Sequence, residues 1–139
     1  MKVLLDTNVI SEISRPQGSA GVKKYAAGLI ESQTFLSVIS IGELTRGIAL
    51  LPDGDRRKSL EDWLSEIESH YSDRIFICTI GTVHRWGKLT ARVQRAGRTI
   101  GAADGLIAAT ALQHELVLAT RSARHFEGIV PEVVEPWSA

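Results

Sequence analysis

Residues 35–51 read FLSVISIGELTRGIALL, and the stretch changes its period part way along. Phe35–Ile39 has the aromatic and β-branched composition of a short strand, whereas from Ile41 to Leu51 the apolar residues recur at helical spacing. The helix is expected to stop at Pro52-Asp53-Gly54-Asp55, a turn cluster. The same exchange repeats along the chain. Val3–Leu5, Ile75–Cys78, Leu116–Ala119 and a short Val133–Val134 read as strands. Gly21–Glu31, Arg56–His70, Val83–Ala96 and Gly101–His114 read as helices, the third ended by Gly97 and the last rich enough in small residues for a tightly packed central position. Alternation of this kind predicts an α/β protein of three layers, α/β/α, with a central, mostly parallel sheet of four to five strands.

The 139 residues are enough for one ordinary domain and too few for two, so a single unit over 1–139 is expected. Apolar residues at 44% and charged residues at 23% exclude a disordered chain. Sixteen Lys and Arg balance sixteen Asp and Glu, so net charge names no partner. No apolar run approaches the ~20 residues of a membrane span. The one cysteine, Cys78, cannot form an internal disulfide. With no signal-peptide pattern, it points to a reducing cytoplasm, and Cys78 reads as a small core residue.

In parallel α/β sheets, ligands bind beyond the carboxyl ends of the strands. Three acids from remote segments are assigned to that edge. Asp6 ends the first strand, Glu43 falls in the first turn of the helix after the second, and Asp104 falls in the first turn of the small-residue helix. Each has a structural alternative: acids in a first helical turn gain ~0.3–1 kcal/mol from the helix dipole, and Asp6 could be a helix cap. Asp104, however, is set among Ala102, Ala103, Gly105, Leu106, Ile107, Ala108 and Ala109, where a carboxylate is expected to be buried or to sit on a cleft wall. Two carboxylates ~5 Å apart repel by roughly 3 kcal/mol at an effective dielectric near 20. A cluster of three therefore calls for a cation. Hard oxygen donors suit Mg²⁺ or Mn²⁺, ions that orient phosphates and activate water.

Four segments, LLDTNVISE, SVISIGELTRGI, GAADGLIAATA and LATRSARHFEGI, occur in an order and spacing that resemble the PIN-domain nucleases. Within these the chain is similar to the VapC-type toxins of type II toxin–antitoxin pairs, in particular their FitB-like branch. The resemblance implies a metal-dependent endoribonuclease that hydrolyses RNA phosphodiester bonds with metal-activated water, using Mg²⁺ or Mn²⁺ as cofactor. It assigns Asp6, Glu43 and Asp104 as the catalytic, metal-holding acids, Glu43 directly or through water. Thr7, Asn8 and Ser40 support them, with Thr120 and Ser122 reaching the ion at most through water. It also implies a homodimer and a small DNA-binding antitoxin whose C-terminal segment fills the active-site groove. The fourth motif departs from the pattern: Ser122 stands where Asn or Asp is usual and His125 where Asp is usual. One well-held ion is therefore expected, and Glu127, the nearest acid, is expected to face solvent.

From Arg74 through Ala103 there is no acidic residue. Arg85, Lys88, Arg92 and Arg95 recur on one helical face, with Arg98 just beyond; a one-sign stripe of this kind suits a polyanion whose phosphates arginine can grip. Arg121 and Arg124, with His125, would extend that track. His70, His84 and His114 lack paired ligand spacing and read as structural, Trp63 and Trp86 as packing anchors, Trp137 as a pin for the tail, and Gly28 and Gly42 as close-packing positions. Against the ribonuclease stands a catalytically weak PIN-type RNA-binding module, suggested by the altered fourth motif. Phosphoryl-transfer domains also place Asp at strand ends. They rank lower, because the haloacid-dehalogenase type needs Asp where Asn8 stands and receiver domains need an acidic pair not visible here.

Overall fold

The computed structural model describes residues 1–138. Strands β1 (Val3–Leu5), β2 (Thr34–Ser37), β3 (Ile75–Phe76), β4 (Val117–Ala119) and β5 (Val133–Val134) form one sheet in the order β3-β2-β1-β4-β5. Every neighbouring pair is parallel. Six helices connect them: α1 (Thr7–Ser14), α2 (Ala20–Ala27), α3 (Val38–Ala49), α4 (Asp55–His70), α5 (Ile80–Arg95) and α6 (Ala102–Gln113).

Period-two alternation in the strands divides the core into two. Leu4 and Leu118 point to one face and pack with Leu89 and Val93 of α5, Ile107 and Ala108 of α6, and Phe126. Val3, Leu5, Leu36, Val117 and Ala119 point to the other and meet Val9, Val22, Leu44 and Leu64 of α1 to α4. The three-layer α/β/α expectation holds, with the sheet wholly parallel.

The helix expected over Gly21–Glu31 ends at Ala27, and two further boundaries shift, each for a local reason. The strand expected over Phe35–Ile39 ends at Ser37 because the Ser37 hydroxyl accepts from the Ile39 N–H and caps α3, which starts at Val38. Glu43 therefore lies in the second turn, out of reach of the first-turn dipole argument. The strand expected over Ile75–Cys78 has only two paired residues. Ile77 beyond them is exposed, and a capping box between Thr79 and Thr82 starts α5 three residues before Val83. Gly97 ends that helix at φ +77°, as expected of a C′ glycine.

Close packing falls on Gly105, not on Gly28 or Gly42. A Cβ at Gly42 would meet nothing within 4 Å, and at Gly28 only ordinary contacts. At Gly105 it would lie 3.0 Å from the Trp86 ring and 3.3 Å from Thr90. Gly105→Ala should cost roughly 1–3 kcal/mol, the price of overpacking a tight helix–helix contact. A melting temperature unchanged from wild type would show that Trp86 yields freely.

Candidate active site

β1 delivers Asp6 to the carboxyl edge of the sheet, where its N–H donates to Ala119 O of β4. The side chain is 4% exposed. Its Oδ1 accepts from the Thr7 N–H at 2.8 Å, so Asp6 does cap α1. Its Oδ2 accepts from the Thr120 hydroxyl at 2.6 Å. Asp6 is thus both a cap and a buried carboxylate. Burial pushes its pKa up, the two hydrogen bonds pull it down, and the charges of Asp104 and Glu43 raise it further.

The neighbouring positions hold one another. Thr7 Oγ1 donates to Glu43 Oε1 at 2.5 Å and lies 3.0 Å from Ser40 Oγ, which is fully buried. Asn8 Oδ1 accepts from the Arg121 N–H at 3.1 Å, tying α1 to the loop after β4. Thr120, fully buried, accepts from the Ser122 N–H while donating to Asp6. Its hydroxyl is committed to the carboxylate, which places Thr120 behind Asp6. On α6, Asp104 is one-third exposed, with His125 Nδ1 at 3.7 Å from its Oδ2.

Asp6, Glu43, Asp104, Thr7, Asn8 and Ser122 line one cavity of about 480 Å³. Its donors are oxygens of Asp, Glu, Ser, Thr and Asn, a set that fits a hard divalent cation. A buried Asp6 facing two further negative charges is the electrostatic situation such an ion relieves. Among the described residues no three Asp, Glu, His or Cys side chains close around a single point.

The basic stripe divides. Arg85, Lys88, Arg92, Arg95 and Arg98 are all exposed, but α5 runs antiparallel to α6, with Thr82 bonded to Gln113 at one end and Thr90 against Gly105 at the other. Arg85 lies near His114 and Lys2, at the end of α6 remote from Asp104; burial, then these two charges, push the His114 pKa down. Arg92 and Arg95 lie toward the carboxylate end. Arg98 is spent on structure: its guanidinium donates to Glu127 O at 2.8 Å and lies 3.5 Å from the carbonyls of Arg124 and His125. Arg121 is exposed, its guanidinium 5.1 Å above the Trp137 ring, and Arg124 and Glu127 are exposed. Two cavity residues, Arg56 and Trp63, escaped sequence reasoning as site residues, since nothing local connects α4 to the acids.

The PIN domain family model matches residues 3–128. Toxin FitB of Neisseria gonorrhoeae is 38% identical over 136 residues, covering 97% of this chain and 98% of its own. VapC ribonuclease Y4jK of Sinorhizobium fredii is 32% identical over 136 residues, 97% of each chain. Among solved structures, FitAcB from Neisseria gonorrhoeae superposes with a TM-score of 0.92 at 37% identity, covering 99% of each chain. FitAB bound to an IR36 DNA fragment gives 0.91 at 35% identity, covering 97% of this chain and 95% of that one.

Proposed function

Because the chain belongs to the PIN-domain family, we propose that it is the toxin of a toxin–antitoxin pair, an endoribonuclease that hydrolyses RNA with the help of Mg²⁺ or Mn²⁺. The observation that carries this reading is the convergence of Asp6, Glu43 and Asp104 on one cavity from β1, α3 and α6. Asp6 and Asp104 would hold the ion directly and Glu43 through water. The ion, when bound, supplies positive charge at the scissile phosphate and an activated water.

The chain's own side chains do the rest. Thr120 and the Thr7 N–H fix the two oxygens of Asp6, so the carboxylate cannot rotate away from the cavity. Thr7 fixes Glu43. Asn8 holds the backbone at Arg121, an exposed residue of the loop after β4 that would meet substrate phosphate. Arg92 and Arg95 extend the positive surface, with Lys88 and Arg85 further out along the same helix. The toxin reading is supported by the full-length likeness to FitB and the VapC ribonuclease. The partner by the same likeness is a small DNA-binding antitoxin, in an assembly built on a homodimer, and the 1–139 chain is one such nuclease unit.

The test is direct. Purified protein free of any partner, incubated with total cellular RNA and Mg²⁺ or Mn²⁺, should yield discrete fragments. Asp104→Ala should reduce cleavage by about 10²–10³-fold, the scale for removing a group that stabilises developing charge. Undiminished cleavage by that variant would remove Asp104 from the site. RNA binding without cleavage by the wild type would favour the catalytically weak binding module, which the Ser122 and His125 replacements make the specific alternative.

A further inference from the structure

The cavity that holds the acids continues well past them, and its far half has two unlike walls. One is the face of α1 that carries Asn8, Ser11 and Ser14, which is polar. The other, from α3 and α4, presents Leu44, Ile48, Leu60 and Trp63. At its end stands Arg56, an exposed cation at the start of α4. The acids and the arginine thus bracket an apolar slot with one polar side.

A nucleobase has this combination of needs: an apolar surface for its faces and hydrogen-bonding groups for its edge. About 480 Å³ is within the range of small-ligand pockets and too small for a duplex. A chain of alternating phosphate and base would place one phosphate at the acids, the neighbouring base in the slot and the next phosphate at Arg56. An apolar peptide would use the α3–α4 wall alone, so an antitoxin segment in this groove and an RNA base are mutually exclusive occupants.

We propose that the far half of the cavity is a base-binding slot, in which an unpaired base next to the scissile phosphate packs against Trp63 while Arg56 holds the following phosphate. The slot rests on the ribonuclease reading and sharpens it. The substrate class is RNA with an extruded or looped-out base at the cut, and Trp63 and Arg56 are specificity-determining residues that take no part in the chemistry.

The experiment uses the full-length chain carrying Asp104→Asn and a hairpin RNA trimmed from a fragment that the wild type cuts out of total RNA. Loop bases are replaced one at a time by fluorescent 2-aminopurine. At one position binding should quench the fluorescence several-fold. Trp63→Leu should abolish that quench and weaken binding about ten-fold, the scale of one base–aromatic stack. Trp63→Phe should keep most of both, and circular dichroism should show each variant folded. Arg56→Gln should weaken binding to all hairpins alike and flatten the salt dependence by about one phosphate contact.

Quenching at no position, or quenching that Trp63→Leu leaves intact, overturns the slot while the ribonuclease reading stands. A wild type that cuts no RNA overturns both. A short apolar peptide that binds in a Trp63-dependent way without displacing the hairpin overturns the slot in favour of a protein segment.

Discussion

Asp6→Asn should abolish RNA cleavage and, in the presence of a chelator, raise the melting temperature. The two effects have one source. Asp6 is 4% exposed, and its charged form is disfavoured first by burial and then by Asp104 and Glu43. Asparagine keeps an oxygen for the Thr7 N–H, gives up the carboxylate oxygen that accepts from Thr120, and removes a buried charge that these hydrogen bonds only partly offset. The gain should be on the order of 1 kcal/mol, typical of relaxing an active-site residue, and the loss of activity about 10³-fold. The sign with pH follows from the raised pKa. The native state binds the Asp6 proton more tightly than the unfolded chain does. Its stability contribution is therefore full below the ordinary carboxylate pKa, near 3.9, and is lost as pH rises through the higher native value. The difference in melting temperature between variant and wild type should accordingly be small near pH 3.5 and grow toward neutrality. Saturating Mg²⁺ or Mn²⁺ should reverse it by stabilising only the wild type, by about 2.7 kcal/mol at a hundred times the dissociation constant. A variant less stable than wild type at neutral pH without metal would show that Asp6 matters more as a cap than as a charge.

Phe126→Ala should produce the largest loss of stability of any single change near the site, about 3–5 kcal/mol. Phe126 is fully buried in the α5–α6 layer with Leu118, Ile107 and Val130. It ends the 3-10 turn Ala123–Phe126, and its carbonyl accepts from the Ile129 and Val130 N–H groups. Against a typical total of ~5–15 kcal/mol, the melting temperature should fall by about 10 °C or more. Phe126→Leu should lose much less, since volume and apolarity are nearly kept. If alanine and leucine proved equally mild, the segment 121–130 would be held by Arg98 and the backbone instead of by this ring.

The order and kind of the main elements were legible because each has the period of its buried face. Val3–Leu5 and Val133–Val134 were read with their observed limits, and Arg56–His70 and Gly101–His114 to within one residue. The errors lie where one side chain overrules the pattern, as Ser37 does in starting α3 and as the Thr79–Thr82 pair does in starting α5. Asp6 and Asp104 could be gathered from a strand end and a helix start, whereas Glu43 was gathered from an expected first turn that the earlier start of α3 makes a second turn. What each is bonded to could not be read in this way. The Thr120 hydroxyl, expected to reach an ion at most through water, is bonded to Asp6, 114 residues away. Arg98, just beyond the spaced stripe and grouped with it for RNA contact, braces three backbone carbonyls. Helical spacing likewise placed Arg85 with Arg95 without showing that the antiparallel packing of α5 on α6 sets Arg85 toward His114 and Arg95 toward the end of α6 that carries Asp104.

The central position of β1 between β2 and β4 has a consequence for the chain as it is made. Asp6 leaves the ribosome among the first residues, but the strand that flanks it and the hydroxyl that holds it come more than a hundred residues later. Until Val117–Ala119 pairs with β1, no partial product of translation can set Asp6, Asp104 and Thr120 side by side. On the ribonuclease reading proposed above, the site stays unassembled on partial chains, because the strand and hydroxyl that flank Asp6 belong to the part of the chain synthesised late.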